Sequence, residues 1–112
     1  MKIVVAGNTG LVGSMLQEVL ELKGFEVIGL NRKIVDLTDR AKTFQIIKSI
    51  SPTLVIDAAA VVGGIVANFS NPTEFLSKNI LMQTNLMDAS FSSDVEKFIF
   101  LGSSCIYPRD CP

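Results

Sequence analysis

The sequence predicts an α/β protein built on a parallel, doubly wound sheet. Three observations carry that expectation. The chain opens on a short β-branched run that leads directly into three glycines spaced G-x-x-G-x-x-G. Apolar runs of strand length then alternate with segments of helical periodicity. No internal repeat, linker or low-complexity segment interrupts the alternation.

Residues 3–6 are continuously apolar, as expected of a parallel strand buried on both faces. Leu11, Val12, Met15, Leu16, Val19 and Leu20 recur at helical spacing, and Lys23-Gly24 supplies the stop. Residues 25–30 read as a second strand. Thr38 can cap a second helix whose Ala41, Phe44, Ile47 and Ile50 lie three apart on one face, closed by Pro52. Residues 53–57 form a third strand that runs into Ala58-Ala59-Ala60 and a Gly63-Gly64 loop. Asn71-Pro72-Thr73-Glu74 combines an N-cap, proline at the first helical position and a capping-box glutamate, starting a helix that reaches about Ser92. Residues 97–101 are a fourth strand, ended by Gly102-Ser103-Ser104.

The order β-α-β-α-β-α-β implies right-handed crossovers and a Rossmann-like sheet. Such a fold has two βαβαβ halves in the strand order 3-2-1-4-5-6. Residues 1–112 supply the first half and the following strand, so they are expected to be the N-terminal part of an NAD(P)-binding domain. The rest of that domain and a substrate domain are expected elsewhere. The fourth strand then lies at an edge with Phe98, Ile99, Phe100 and Leu101 poorly covered, a surface that aggregates or recruits a partner. The sequence is expected to belong to a longer protein or to need another chain to complete it.

The 112 residues allow one domain. Ten basic against eleven acidic side chains leave a net charge of −1, with no basic field for nucleic acid. The absence of histidine excludes a Ser-His-Asp triad within the chain and removes the commonest zinc ligand; no metal site is expected. Cys105 and Cys111 form neither a disulfide framework nor a zinc spacing, which points to a reducing compartment. The opening apolar run is too short for a signal peptide. Residues 58–73 are uncharged but interrupted by Gly63, Gly64, Asn68, Ser70 and Asn71, and fall short of the ~20 apolar residues a membrane span needs. A soluble, cytoplasmic protein without a membrane partner is expected.

Gly7-Asn8-Thr9-Gly10-Leu11-Val12-Gly13 sits between a strand and a helix. Glycine there permits the tight turn, lets backbone approach a pyrophosphate and lets helix pack closely on strand. The helix N-terminus adds unpaired N–H groups and a partial positive charge. The alternative is a turn that only packs glycine against the sheet. At the end of the second strand an acidic residue would select NAD, and an arginine would suit the extra phosphate of NADP. The chain has Asn31-Arg32-Lys33 and no carboxylate before Asp36. NADP is therefore expected, with Arg32 as a fork for the 2′-phosphate, against the alternative of a solvated basic turn. Asp36 and Leu37 are candidates for the adenine pocket, although Asp36 can equally begin the next helix.

Leu101, Gly102, Ser103, Ser104 and Cys105 stand at the carboxyl end of the fourth strand, where open α/β sheets bind ligands. Ser103 can hydrogen-bond a carbonyl oxygen and Cys105 can exchange a proton. The other reading makes the serines a strand cap and Cys105 a small buried hydrophobe.

The glycine turn, the Val62-Gly63-Gly64-Ile65-Val66-Ala67-Asn68 loop and the residues 101–108 stretch together resemble the GDP-L-fucose synthase family of extended short-chain dehydrogenase/reductases. The likeness covers essentially the whole chain. The loop and the serine-cysteine stretch are specific to that subgroup, whereas the glycine turn belongs to the whole superfamily. The resemblance implies epimerisation of a GDP-4-keto-6-deoxy sugar at C3 and C5, then reduction at C4 by NADPH, in an enzyme that is homodimeric at full length. It implies that Ser103 binds the substrate carbonyl, that Cys105 is an acid/base in epimerisation, and that Arg32 meets the 2′-phosphate. It places Ala58, Ala59 and Ala60 beside the cofactor and the Gly63-Gly64 loop towards the sugar. Two departures stand out. Thr9 replaces an arginine of the relatives, and the family's Tyr-x-x-x-Lys pair and histidine are expected beyond Pro112. Tyr107 is not that tyrosine, because Cys111 stands four positions on. The 112 residues alone are therefore expected to be inactive. Alternatives are another NAD(P)-dependent sugar-nucleotide epimerase or dehydratase, and a non-catalytic dinucleotide-binding module.

Overall fold

A computed structural model describes residues 1–62, 65–103 and 106–110. Four parallel strands, β1 (Lys2–Ala6), β2 (Glu26–Leu30), β3 (Leu54–Asp57) and β4 (Lys97–Phe100), form one sheet in the order β2-β1-β3-β4. Between them run α1 (Leu11–Leu22), α2 (Arg40–Ile50), α3 (Ile65–Ser70) and α4 (Pro72–Ser92). Ile3 pairs with Val27 and Leu54, and Val55 with Phe98, so β1 and β3 are central and β4 is an edge.

The parallel α/β architecture is the expected one, and the strand order corrects the expected 3-2-1-4 arrangement. That order would set β3 outside β2, with α2 on the same face as α1. Instead β3 lies on the other side of β1. The physical reason is which face each helix covers. Ile3, Val5 and Ile56 form one core with Leu16 and Leu20 of α1. Val4, Ala6, Leu30 and Val55 form the other, with Val35, Leu37, Ile47, Leu86 and Ala89 from α2, α4 and the segment before α2. Because crossovers are right-handed, a helix on the opposite face requires the chain to move in the opposite direction across the sheet. The direction of winding therefore reverses between β1 and β3, the switch point where such folds open a crevice.

Element boundaries match the sequence to within a residue, with informative exceptions. The second helix is capped by Asp39, whose Oδ1 accepts from the Lys42 N–H at 3.0 Å, and not by Thr38. Thr38 is held one turn earlier, donating both its N–H and its hydroxyl to Asp36. On α2 the buried residues are Thr43 and Ile47, and Ala41 faces solvent. At the start of α4, Pro72 occupies the first turn as expected, but Asn71 makes no side-chain cap and Glu74 pairs with Lys78 instead of reaching back. The short helix α3 was expected as loop; six residues with glycines before them carry too little periodicity to declare a helix. Phe100 and Leu101 remain 46% and 41% exposed at the β4 edge, as anticipated, whereas Phe98 and Ile99, also expected to be poorly covered, are half-buried against the two cores. Among the described residues no helix is long and apolar enough to cross a membrane.

Candidate functional site

The carboxyl ends of the parallel strands share one rim of the sheet, and the turn after β1 stands at its centre. Gly7 has φ +78°, a conformation that L side chains rarely adopt. A Cβ there would lie 2.6 Å from the Ala58 carbonyl oxygen and 2.7 Å from the Ala59 Cα. One at Gly13 would lie 2.1 Å from the Gly7 oxygen, so this glycine is what lets α1 sit directly on the turn. The Gly7 N–H donates to Leu30 O at 2.8 Å, tying the turn to the end of β2. Helix geometry leaves the first N–H groups of α1, on Leu11, Val12 and Gly13, without intrahelical partners, and the Gly10 cap has no side chain to satisfy one.

Beside this turn is a cavity of about 580 Å³ lined by Gly7, Thr9, Gly10, Asn31, Arg32, Lys33, Ala58, Ala59, Ala60 and Met82. A second cavity of about 280 Å³ is lined by Arg32, Val35, Asp36, Leu37, Thr38, Val61, Lys78 and Met82. Arg32 and Met82 line both, so the two adjoin. The tight glycine cradle, the helix start and the two cations Arg32 and Lys33 form a donor set suited to an elongated, multiply anionic ligand. In size the larger cavity falls within the range of organic cofactor sites, and the smaller one extends it.

Most of the residues expected at the site meet here. Gly7, Thr9, Gly10, Arg32 and Ala58, Ala59 and Ala60 line the first cavity, and Asp36 and Leu37 line the second. Leu11, Val12 and Gly13 contribute backbone at the helix start. Asn8 does not line either cavity: its Nδ2 donates to Gln17 Oε1 at 2.9 Å and its Oδ1 accepts from Asn31 Nδ2 at 3.3 Å. It thus ties the turn to α1 and to the end of β2. Asp36 is held in a turn by Thr38, whose hydroxyl and N–H keep its carboxyl below the usual range, with no part in starting α2.

Of the serine-cysteine stretch, the described residues Leu101, Gly102 and Ser103 do not line either cavity, and Ser104 lies outside the described residues. Leu101 donates its N–H to Asp57 O at 3.1 Å, and Leu101, Gly102 and Ser103 are exposed at the end of β4. The Ser103 carbonyl accepts from the Ile106 N–H at 3.3 Å. Cys105 and the Gly63-Gly64 pair lie outside the described residues.

Several residues at the site escaped the sequence reading. Asn31, Lys33 and Met82 line the larger cavity; Val61 and Lys78 line the smaller. Asn31 and Lys33 flank Arg32 and were signalled by the same turn, whereas Met82 and Lys78 lie within a long helix and carried no signal. Asp57 is 2% exposed at the end of β3, where its Oδ1 accepts from the Ala59 N–H at 3.0 Å. Burial pushes its carboxyl up to about 6. A carboxylate closing an apolar strand was the available signal.

On α4, Asn79 donates its Nδ2 to Val61 O at 3.0 Å and accepts the Val61 N–H on Oδ1 at 2.7 Å. Asn85, 3% exposed, donates to Leu37 O at 2.9 Å and Thr38 O at 3.2 Å. Arg40 stacks over Phe44, pairs with Asp88 at 2.8 Å and reaches Asn85 Oδ1 at 3.5 Å.

The profile of the NAD dependent epimerase/dehydratase family matches residues 3–112. A GDP-L-fucose synthase of Sinorhizobium fredii is 44% identical over 108 residues, covering 96% of this chain and 34% of that protein. Among solved structures, a GDP-mannoheptose C4 reductase from Campylobacter jejuni with NADP bound superposes with a TM-score of 0.91 at 30% identity, covering 99% of this chain and 35% of that one. A GDP-L-fucose synthetase from Naegleria fowleri bound to NADP gives 0.82 at 27% identity, covering 99% and 33%. The chain spans about a third of the length of these relatives.

Proposed function

The chain belongs to the NAD dependent epimerase/dehydratase family, and from that premise we propose that it is the N-terminal, NADP(H)-binding part of an epimerase-reductase that converts GDP-4-keto-6-deoxy-D-mannose to GDP-L-fucose. The observation that carries this reading is the continuous cavity running from the glycine turn to Arg32 and Lys33, with no carboxylate at the end of β2. A carboxylate there would bind ribose hydroxyls and repel a 2′-phosphate; arginine offers a planar fork to it.

In this reading NADPH supplies the hydride that reduces the sugar ketone. The chain's own residues bind and orient. Backbone N–H groups at the start of α1 hold the pyrophosphate, residues 58–60 pass beside the dinucleotide, and Arg32 sets the preference for the phosphorylated ribose. Asp36 and Leu37 wall the adenine side. Thr9, uncharged, leaves the pyrophosphate to backbone donors. Ser103 hydrogen-bonds the substrate carbonyl and stabilises the charge that develops there, and Cys105 exchanges protons at C3 and C5. The remaining machinery, a Tyr-x-x-x-Lys pair, a histidine and the sugar-binding domain, belongs to the two thirds of the relatives that the chain does not span, so the chain alone is inactive. The full-length enzyme is a cytoplasmic homodimer.

Fluorescence titration with NADPH and NADH tests the reading. Saturable NADPH binding, tighter than NADH, is expected. Arg32→Ala should weaken NADPH at least about tenfold, the equivalent of about 1.4 kcal/mol, and leave NADH within about twofold. An unchanged preference would return Arg32 to a solvated turn. Absence of saturable binding to either dinucleotide would overturn the cofactor assignment.

A further inference from the structure

The floor and two walls of the paired cavities are tied to one helix. Asn79, Met82 and Asn85 lie three apart on α4, so successive side chains step by about 60° around the helix and share a face. Met82 supplies the apolar floor common to both cavities. Asn79 grips one wall by two hydrogen bonds to the backbone of Val61. Asn85 grips the other through the carbonyls of Leu37 and Thr38.

We propose that Asn79 and Asn85 are positioning residues of the dinucleotide site: through two carboxamides α4 sets the width of the adenine-side cavity and holds the segment that carries Arg32 and Asp36.

Both walls are loop segments; burial of Val35 and Leu37 holds one of them against the helix, and the carboxamides fix the position of the backbone of each. The Val61 wall has only the Asn79 pair to fix both its N–H and its C=O among the described bonds. The opposite wall is fixed more deeply. Asn85 is buried, its oxygen is occupied by Arg40, and Arg40 is itself anchored to Asp88 and stacked on Phe44. Removing Asn79 takes away the partners of the Val61 N–H and C=O, and removing Asn85 leaves Leu37 O with only the longer bond from the Thr43 hydroxyl, each a cost comparable to that of a lost hydrogen bond. A carboxylate at either position could accept but could not donate to a carbonyl, so aspartate cannot replace asparagine.

The two clamps differ in what they hold, and this gives the test its resolution. Asn85 holds Leu37 and Thr38, five and six positions after Arg32 on the segment that carries it, whereas Asn79 fixes the opposite wall. The proposal rests on the NADP reading above, so NADPH and NADH titrations of the wild-type protein come first. If neither binds saturably, the cofactor reading fails and the proposal with it. If the wild type binds, Asn85→Ala and Asn85→Ser should weaken NADPH about tenfold and lower the NADPH:NADH preference. Asn79→Ala and Asn79→Ser should weaken both dinucleotides by a similar factor and leave the preference unchanged. Asn79→Asp and Asn85→Asp should fail to rescue. Circular dichroism and urea midpoints of each variant separate misfolding from mispositioning, because a general loss of stability does not change the preference ratio of the molecules that remain folded. Folded serine variants with wild-type affinity for both dinucleotides would overturn the proposal. So would rescue by aspartate, or the same preference ratio in the Asn85 variants as in the wild type.

Discussion

At the scale of single residues, Asp57 shows how burial turns an ordinary carboxylate into a pH-sensitive group. Its side chain closes β3 with one backbone donor, the Ala59 N–H, and burial outweighs that bond, lifting its carboxyl from 3.8 to about 6. A folded pKa above the unfolded value means that the native state keeps the proton longer. The stability this group contributes is therefore present below about pH 4 and is lost as pH rises towards 6. Asp57→Asn retains an acceptor for Ala59 without the charge. It should be no more stable than wild type at pH 4 and more stable at pH 7.5, by on the order of 2–3 kcal/mol at most. Urea midpoints at the two pH values check this; a difference independent of pH would mean the carboxyl is well solvated. Residue identity also explains the glycine turn. Gly7 and Gly13 were legible because backbone within 3 Å of a would-be Cβ admits no other residue. Asn8, read as a cofactor contact from its place in the turn, proves to be a brace between Gln17 and Asn31, because a short carboxamide reaches neighbouring side chains as easily as a ligand.

At the scale of elements, most boundaries were legible and caps were not. Helix α2 illustrates the difference. Thr38 and Asp39 are both good N-caps, and sequence cannot separate adjacent candidates. The fold chooses Asp39 because Leu37 must be buried in the core below α4, which places Thr38 in the turn with Asp36. Asp39→Ala should cost about 1 kcal/mol, the typical value of a lost N-cap, whereas Thr38→Ala should cost about half as much, since it removes one exposed hydrogen bond to Asp36. Denaturant melts of the two variants distinguish the caps; equal losses would return the cap to Thr38. Similarly, Glu74 was expected to complete a capping box, but a lysine one turn on captures it in an i,i+4 pair. Local patterns of this kind compete, and which one wins is settled by the packing around them.

At the scale of the whole molecule, the surface is larger than its mass accounts for. The accessible area is 7665 Å², against about 6,000 Å² for a typical folded monomer of this mass. Much of the excess is apolar. Leu11 and Leu22 of α1 are 83% and 81% exposed, Ile80 and Phe91 of α4 also face solvent, and β4 presents Phe100 and Leu101 beside an open strand edge. An edge of this kind pairs with other chains. The 112-residue protein should therefore sediment at micromolar concentrations as species larger than its 12.1 kDa monomer. Phe100→Lys, which charges the edge, should shift it towards the monomer. A wild-type protein that stays monomeric throughout would mean that this surface tolerates water.

The sequence by itself determined the alternation of strands and helices, the glycine turn and the basic end of β2. Each of these is a local matter: side-chain period, conformational freedom and charge are written in consecutive residues. Only the tertiary structure decided that β3 lies beside β1, that one helix supplies the floor and the clamps of the site, and which residues form its walls. Those features depend on which face of the sheet each helix buries and on which loops then meet. Contacts such as Asn79 with Val61 and Asn85 with Leu37 join residues 18 and 48 positions apart. No local pattern encodes such pairs, because they come into contact only when α4 has folded back over the end of β3 and beside the segment before α2, on the same face of the sheet.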